Sequence, residues 1–230
     1  MNFISENAFI IIIVLIVASA IIYNFFFTNK AVVKRKLKKA KVKRVHEFKS
    51  GQTAKITGIV ECVDGPLTAP LSGRECAYYH VHVEQKVSAG KSSRWETLID
   101  KEYYTNYVLR DGNACAYFED EGLKSYIVQD REYSSGFMEN ATAVLEAYLQ
   151  DNGHKSETYF GFNKTIRYRE AVLEVGEEVA VFGQGIWQAA HTLELPDRYD
   201  NVLVMRATQK GHMYMSDDPE TVSNNVSVQQ

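Results

Sequence analysis

A membrane-anchoring helix followed by a mainly β (α+β) domain, a barrel or sandwich with one inserted helix, is the architecture this 230-residue sequence predicts. Three observations predict it. Ala8 to Phe27 reads AFIIIIVLIVASAIIYNFFF, twenty residues without a charge. The stretch Ala77 to Glu84 alternates apolar and polar residues with the period of a strand, among seven or eight short apolar runs separated by turn residues. A single helical stripe, Val144, Leu145, Tyr148 and Leu149, interrupts these runs. Composition agrees: 45% hydrophobic, 24% charged and 14 glycines describe an ordinary globular chain and exclude a disordered, collagen-like or coiled-coil one.

Taken in order, residues 1–7 form a short extracytoplasmic tail before the apolar run. At about 1.5 Å per residue, a helix over 8–27 spans roughly 30 Å of hydrocarbon. Ala18-Ser19-Ala20 has the form of a signal-cleavage site, but Glu6 precedes the run and no Lys or Arg does, which favours an uncleaved anchor. Nine cations follow between Thr28 and Arg44, with no acid among them. By the positive-inside rule that end is cytoplasmic and the N-terminus outside, a single-pass topology in the cell membrane. Lys34, Arg35, Lys36, Lys38, Lys39 and Lys41 are the expected membrane-surface residues, attracted to anionic headgroups if they do more than set topology. Val33, Leu37 and Ala40 recur at helical spacing, so the anchor helix is expected to continue as a stalk within 28–51, ending at a hinge over Lys49-Ser50-Gly51-Gln52.

Removing those nine cations and Glu6 leaves 17 basic and 28 acidic residues from Val45 onward, a net charge of −11. Such a domain repels nucleic acid, so none is expected as a partner. Strands are predicted over Ala54–Val63, Ala77–Glu84, Glu96–Tyr104, Ala114–Phe118, Ser125–Val128, Ile166–Leu173, Val179–Gly185 and Val202–Ala207. Asp111-Gly112 supplies a hairpin turn. Gly58 in the first of these strands, and Gly183 and Gly185 in the seventh, mark barrel strands bent at glycine. The helix is expected over Ala141–Gln150, capped by Asn140 and ended by Gly153. The domain extends over 52–214, and 215–230, with little to bury, is expected to be disordered.

Chemistry is sparse. On a regular strand Cys76, His80 and His82 share a face, which permits a three-ligand metal site, but that face is the solvated one and no metal is expected. Cys62, Cys76 and Cys115 form no paired zinc motif, and there is neither a G-x-S-x-G nor a phosphate-binding glycine loop. No cofactor and no catalytic residue is expected.

Two stretches carry a family resemblance. Pro66 to Gln85 reads PLTAPLSGRECAYYHVHVEQ, and Val144 to Gly183 reads VLEAYLQDNGHKSETYFGFNKTIRYREAVLEVGEEVAVFG. With the D-G-x-A hairpin at Asp111 to Ala114, these resemble the GIDE, or BAM ("beside a membrane"), domain over about residues 52–206. That domain occurs in the mitochondrial outer-membrane ubiquitin ligase and in prokaryotic membrane proteins. The resemblance implies a binding, sensing or adaptor module at a membrane, engaging an unidentified protein or small ligand. The alternatives are a protein related to ubiquitin ligases or a scaffold for a membrane quality-control complex. Only 24 residues follow Arg206, none of them cysteine, so the RING of the ligase is missing here. Pro70, Leu71, Ser72, Gly73 and Arg74, a rigid turn, and Arg169 and Glu170, which lie on opposite sides of one strand, are the expected ligand- or partner-binding residues.

Overall fold

The computed structural model describes residues 11–17, 19, 28–90, 92–119, 121–135, 141–156, 164–209 and 211–223. Residues 11–17 are helical, with Ile11 to Val17 exposed. Among the described residues no helix is long and apolar enough to cross a membrane, and most of the expected span 8–27 lies outside them.

The first half of the chain contributes α1 (Asn29–Lys39), β1 (Thr53–Cys62), β2 (Leu67–Thr68), β3 (Glu75–Ala89), β4 (Ser92–Tyr104), β5 (Tyr107–Asp111), β6 (Ala114–Phe118), β7 (Leu123–Tyr126) and β8 (Gln129–Ser135). The second half adds α2 (Ala143–Asp151), β9 (Ile166–Glu174), β10 (Glu178–Ala189), β11 (Asn201–Arg206), β12 (Met213–Ser216) and the short α3 (Pro219–Val222).

Five strands close on themselves in the order β1-β5-β6-β11-β10, with β10 returning to pair β1. All neighbours are antiparallel except β6 and β11. This is the five-stranded Greek-key barrel of the OB type. Ile56, Val60, Leu109, Ala116, Val179, Val181, Leu203 and Met205 fill it. The glycine strands predicted to bend are neighbours, Gly183 lying opposite Ala54 and Gly58 opposite Val179. A Cβ on Gly183 would stand 2.6 Å from the Arg206 carbonyl oxygen, so close backbone approach requires glycine there.

A second antiparallel sheet is assembled from two insertions into the barrel. Residues between β1 and β5 supply β2, β3 and β4, and residues between β6 and β10 supply β8 and β9, in the order β2-β3-β9-β8 with β4 also on β3. One face carries α2, whose Leu145 and Leu149 pack on Val81, Val83, Ile99, Ile166 and Tyr168. Thr142, rather than Asn140, caps this helix by accepting the Leu145 N–H, and Gly153 ends it at φ +77°. Val144, predicted in the buried stripe, is half exposed. Asn140 lies outside the described residues.

The basic segment 28–51 is not a free stalk. Thr28 is extended and caps α1 through its side-chain oxygen, so α1 starts anew instead of continuing an upstream helix. Its Val33 and Leu37 are fully buried against Ala180 and Tyr214. Beyond it, Val42 bridges Lys55, with Lys55 N–H donating to Lys41 O and Lys43 N–H to Lys55 O. The expected hinge is fastened too: Gly51 and Gln52 exchange backbone bonds with Gly185, and the Trp187 indole N–H donates to Phe48 O. A hinge needs backbone groups free to reorient, and here they are paired.

The C-terminal segment, expected to be disordered from 215, is ordered through 223. Ser216 and Thr221 are completely buried, and Asp217 and Asp218 nearly so. Their polar groups find partners: Ser216 Oγ donates to Tyr126 O, Asp217 accepts the Val128 N–H, and Asp218 caps α3 at the Glu220 N–H. A largely polar sequence orders here because neighbouring segments supply hydrogen-bond partners, while Met215 and Val222 add apolar packing. Residues 224–230 lie outside the described residues.

Candidate functional site

The predicted turn and the predicted strand pair meet. Gly73 N–H donates to Ala69 O and Ala69 N–H to Arg74 O, closing a turn with Gly73 at φ +71°. Of the two charged residues on β9, Glu170 is the inward one, only 3% exposed, and its Oε1 accepts the Leu71 N–H at 2.9 Å. Arg169 faces the other way and donates to Glu132 at 3.1 Å. Arg74 pairs with Glu174. The structure thus joins Leu71 to Glu170 but separates Arg169 from both, because adjacent strand residues point to opposite faces. Pro70 and Tyr148 border a shallow groove along α2, with Val144 and Ala147.

Beneath that turn, Cys76 packs with Ala69 and Val172, completely buried. Regular alternation would have placed it with His80 and His82. A bulge between Cys76 and Tyr78 shifts the register and turns Cys76 to the opposite face. Ala77, predicted to face the same way as Val81, joins the barrel core for the same reason. The three-ligand arrangement is therefore dismantled, and no metal-ligating cluster is present among the described residues. Burial pushes the Cys76 thiol up to about 11 and raises Cys62 and Cys115 as well, the opposite of what an activated nucleophile needs.

His80 and His82 remain together on the open face of the second sheet, their rings 6.4 Å apart. His80 Nε2 lies 2.5 Å from Asp100 Oδ1, and this hydrogen bond holds the Asp100 carboxyl below its ordinary range. Tyr78 donates to Glu102 at 2.9 Å, and burial, with that bond second, raises its phenol. Where this face meets α1 and β7 there is a cleft of about 330 Å³, lined by Lys30, Tyr78, His80, Ser125, Tyr126 and Gln129, with Ile127 and Ala171 as its apolar walls. Sequence reading missed the cleft because its residues come from four separate stretches of the chain.

The expected membrane-surface cations divide into two groups. Lys34 lies 2.8 Å from Asp218 and 3.3 Å from Glu220, and Lys38 pairs with Glu220. The Asp218 hydrogen bond raises the Lys34 ammonium, outweighing its desolvation. Lys36, Lys39 and Lys41 are exposed, Lys36 lying 5.9 Å over the Tyr214 ring, and Arg35 is half-buried. Lys55, which the sequence offered as an unremarkable strand residue, is 3% exposed and donates to Thr221 O at 2.8 Å, with burial lowering its ammonium.

The outer face of β5, β6 and β11, where a barrel of this type can present aromatics to a single strand of nucleic acid, is covered by the chain itself. Residues 190–200 fold over it, with Ala190, Leu195 and Tyr199 packing on Val108, Cys115, Val202 and Val204. Glu61 locks this cover by accepting from both Arg110 and the Tyr199 hydroxyl, with the Arg110 bond the main cause of its lowered carboxyl.

No family model matches the chain, and neither does any curated protein or solved structure.

Proposed function

We propose that this chain is a single-pass membrane protein whose β-rich domain is a non-catalytic binding or adaptor module held flush against the cytoplasmic face of a bilayer. One observation carries the reading. The uncharged run ends at Phe27, and α1 begins at Asn29 with Val33 and Leu37 fully buried in the globule. The apolar segment therefore joins the domain with no leash between them. A flexible linker of n residues would let a domain wander about 5–6 Å × √n from its anchor. Here that freedom is removed, and one side of the domain is presented to the lipid.

The resemblance of residues 52–206 to the GIDE domain supports the same reading. The raised thiols favour binding over Cys-based hydrolysis. The full chain, expressed in cells, tests the proposal: it should resist alkaline carbonate extraction, and protease added to sealed inside-out vesicles should digest the domain. Release by carbonate, or protection of the domain in those vesicles, would refute the tether or its orientation respectively. Headgroup-proximal crosslinking followed by mass spectrometry should then recover lipid adducts on the side bearing the α1 N-terminus.

A further inference from the structure

We propose that the cleft at the N-terminal end of α1 is a binding site for a phosphate ester, with Lys30 as its charged contact, Ser125 and Gln129 as hydrogen-bonding contacts, and His80, its Nε2 held by Asp100, as part of the wall. Lys30, Lys34 and Lys38 are spaced at i, i+4 and i+8, one row along a helix. Two of the three are neutralised within the fold, Lys34 by Asp218 and Glu220, and Lys38 by Glu220. Lys30 has no carboxylate partner among the described residues. Its ammonium sits 4.9 Å from the Tyr126 ring centroid, at the lip of the cleft. Two positions of the row are thus matched by carboxylates within the fold, and the third, Lys30, lines the cavity.

Carboxylates bonded to the cleft's lining or its neighbours are already engaged, Asp217 accepting the Val128 N–H. Asp100 is bound to His80, and Glu102 accepts from Tyr78. They orient the imidazole and the phenol without answering Lys30. Asn29 donates to Ser125 O at 2.7 Å, which fixes the α1 terminus against β7 and so fixes the mouth of the cavity. About 330 Å³ lies at the small end of ligand sites and suits a glycerophosphate-sized group. A phosphate offers several acceptor oxygens to one ammonium and several neutral donors, which the lining supplies, while Ile127 and Ala171 receive the ester carbons.

Lys30 stands three residues beyond Phe27, so the cavity opens near the apolar run. Under the proposed tether, which this step rests on, a phospholipid headgroup is the nearest source of that chemistry. A free phosphate ester is the other.

The test uses the full chain purified in detergent. Native mass spectrometry reads retained phosphatidylglycerol, and calorimetric titration with glycerol 3-phosphate reads the soluble ester. Lys30→Met should weaken one or both at least tenfold, His80→Gln should weaken it less, and Lys39→Met, which removes the same charge outside the cleft, should leave it unchanged. Each variant should keep the parent thermal midpoint. Retained lipid lost only on Lys30→Met identifies a headgroup site, and ester binding alone identifies a soluble ligand. Equal losses in Lys30→Met and Lys39→Met, or no binding of either probe, overturn the proposal. Carbonate extraction of the same membranes separates the two readings: a chain that stays membrane-bound but ignores both probes refutes the site alone, and a chain released by carbonate that still binds the ester refutes the tether alone.

Discussion

The barrel and the sheet inserted into it are both antiparallel β structures, yet they are covered in opposite ways. Around the barrel, one flank is sealed by α1 and α3, another by residues 190–200, and the charges at these seams are matched, Lys34 with Asp218 and Glu61 with Arg110. The second sheet has one face under α2 and the other open, where His80, His82, Arg167 and Arg169 lie in a row of ion pairs half reached by water. The closed element provides rigidity, since a barrel has no free edge and each strand is locked by two neighbours. The open face provides surface chemistry, and the candidate cleft forms where the two meet.

Two leucine truncations should show the largest contrast. Leu37→Ala and Leu145→Ala both remove a fully buried side chain and each should cost about 2–5 kcal/mol locally. Leu37→Ala should lower the global thermal midpoint by loosening α1 from the barrel. Leu145→Ala should instead raise hydrogen exchange in β3, β4, β9 and α2 first, with β1 and β10 still protected. Uniform exchange in both variants would show that the two regions unfold as one.

Gly183→Ala should cost about 1–3 kcal/mol through the clash with the Arg206 carbonyl, read by denaturant titration. The counterpart in the second sheet is Glu170→Gln, which keeps the shape but weakens a charge-assisted bond to Leu71. About 1–2 kcal/mol and faster exchange of the Leu71 amide are expected.

Acid should reach the barrel cover through Glu61. Its folded-state carboxyl titrates below the ordinary 4.5, so its contribution is present above that pH and is lost as pH falls below it. Glu61→Gln should flatten that acid limb. Lys55 works in the other direction: its ammonium titrates below the ordinary 10.5, so stability rises as pH climbs towards 10.5, and Lys55→Met should abolish the rise. The smallest effect belongs to Lys34→Met, about 1 kcal/mol or less, because the pair with Asp218 and Glu220 remains partly wet. A larger loss would mean that the C-terminal segment is held chiefly by charge.

Local pattern reached a good part of this fold. Ala114–Phe118 is a strand over the predicted residues and Gly153 ends α2, while the hairpin between β5 and β6 turns at Gly112-Asn113, one residue later than the predicted Asp111-Gly112, because Asp111 pairs with Ala114 as the last residue of β5. The pairing of Leu71 with Glu170 was half legible: the turn and the strand were both singled out, but which of Arg169 and Glu170 faced inward depended on the bulge-containing register of β3 against β9. The cleft left no sequence trace, since Lys30, His80 and the 125–129 stretch that carries Ser125 and Gln129 are far apart along the chain and none has a motif around it.

Periodicity, the glycine positions and the nine-cation run are properties of near neighbours in the chain, and they determined a β-rich domain behind an apolar segment. Three features waited for the tertiary structure: the closure of β10 onto β1, the docking of a basic helix against an acidic C-terminus, and the burial of Lys55 under Thr221. Each is a contact across more than a hundred residues, where a charge or polar group is satisfied by a partner that no local window contains. Sequence patterns record which residues prefer burial or solvent, whereas the pairing of polar groups that permits their burial is decided only when distant segments meet.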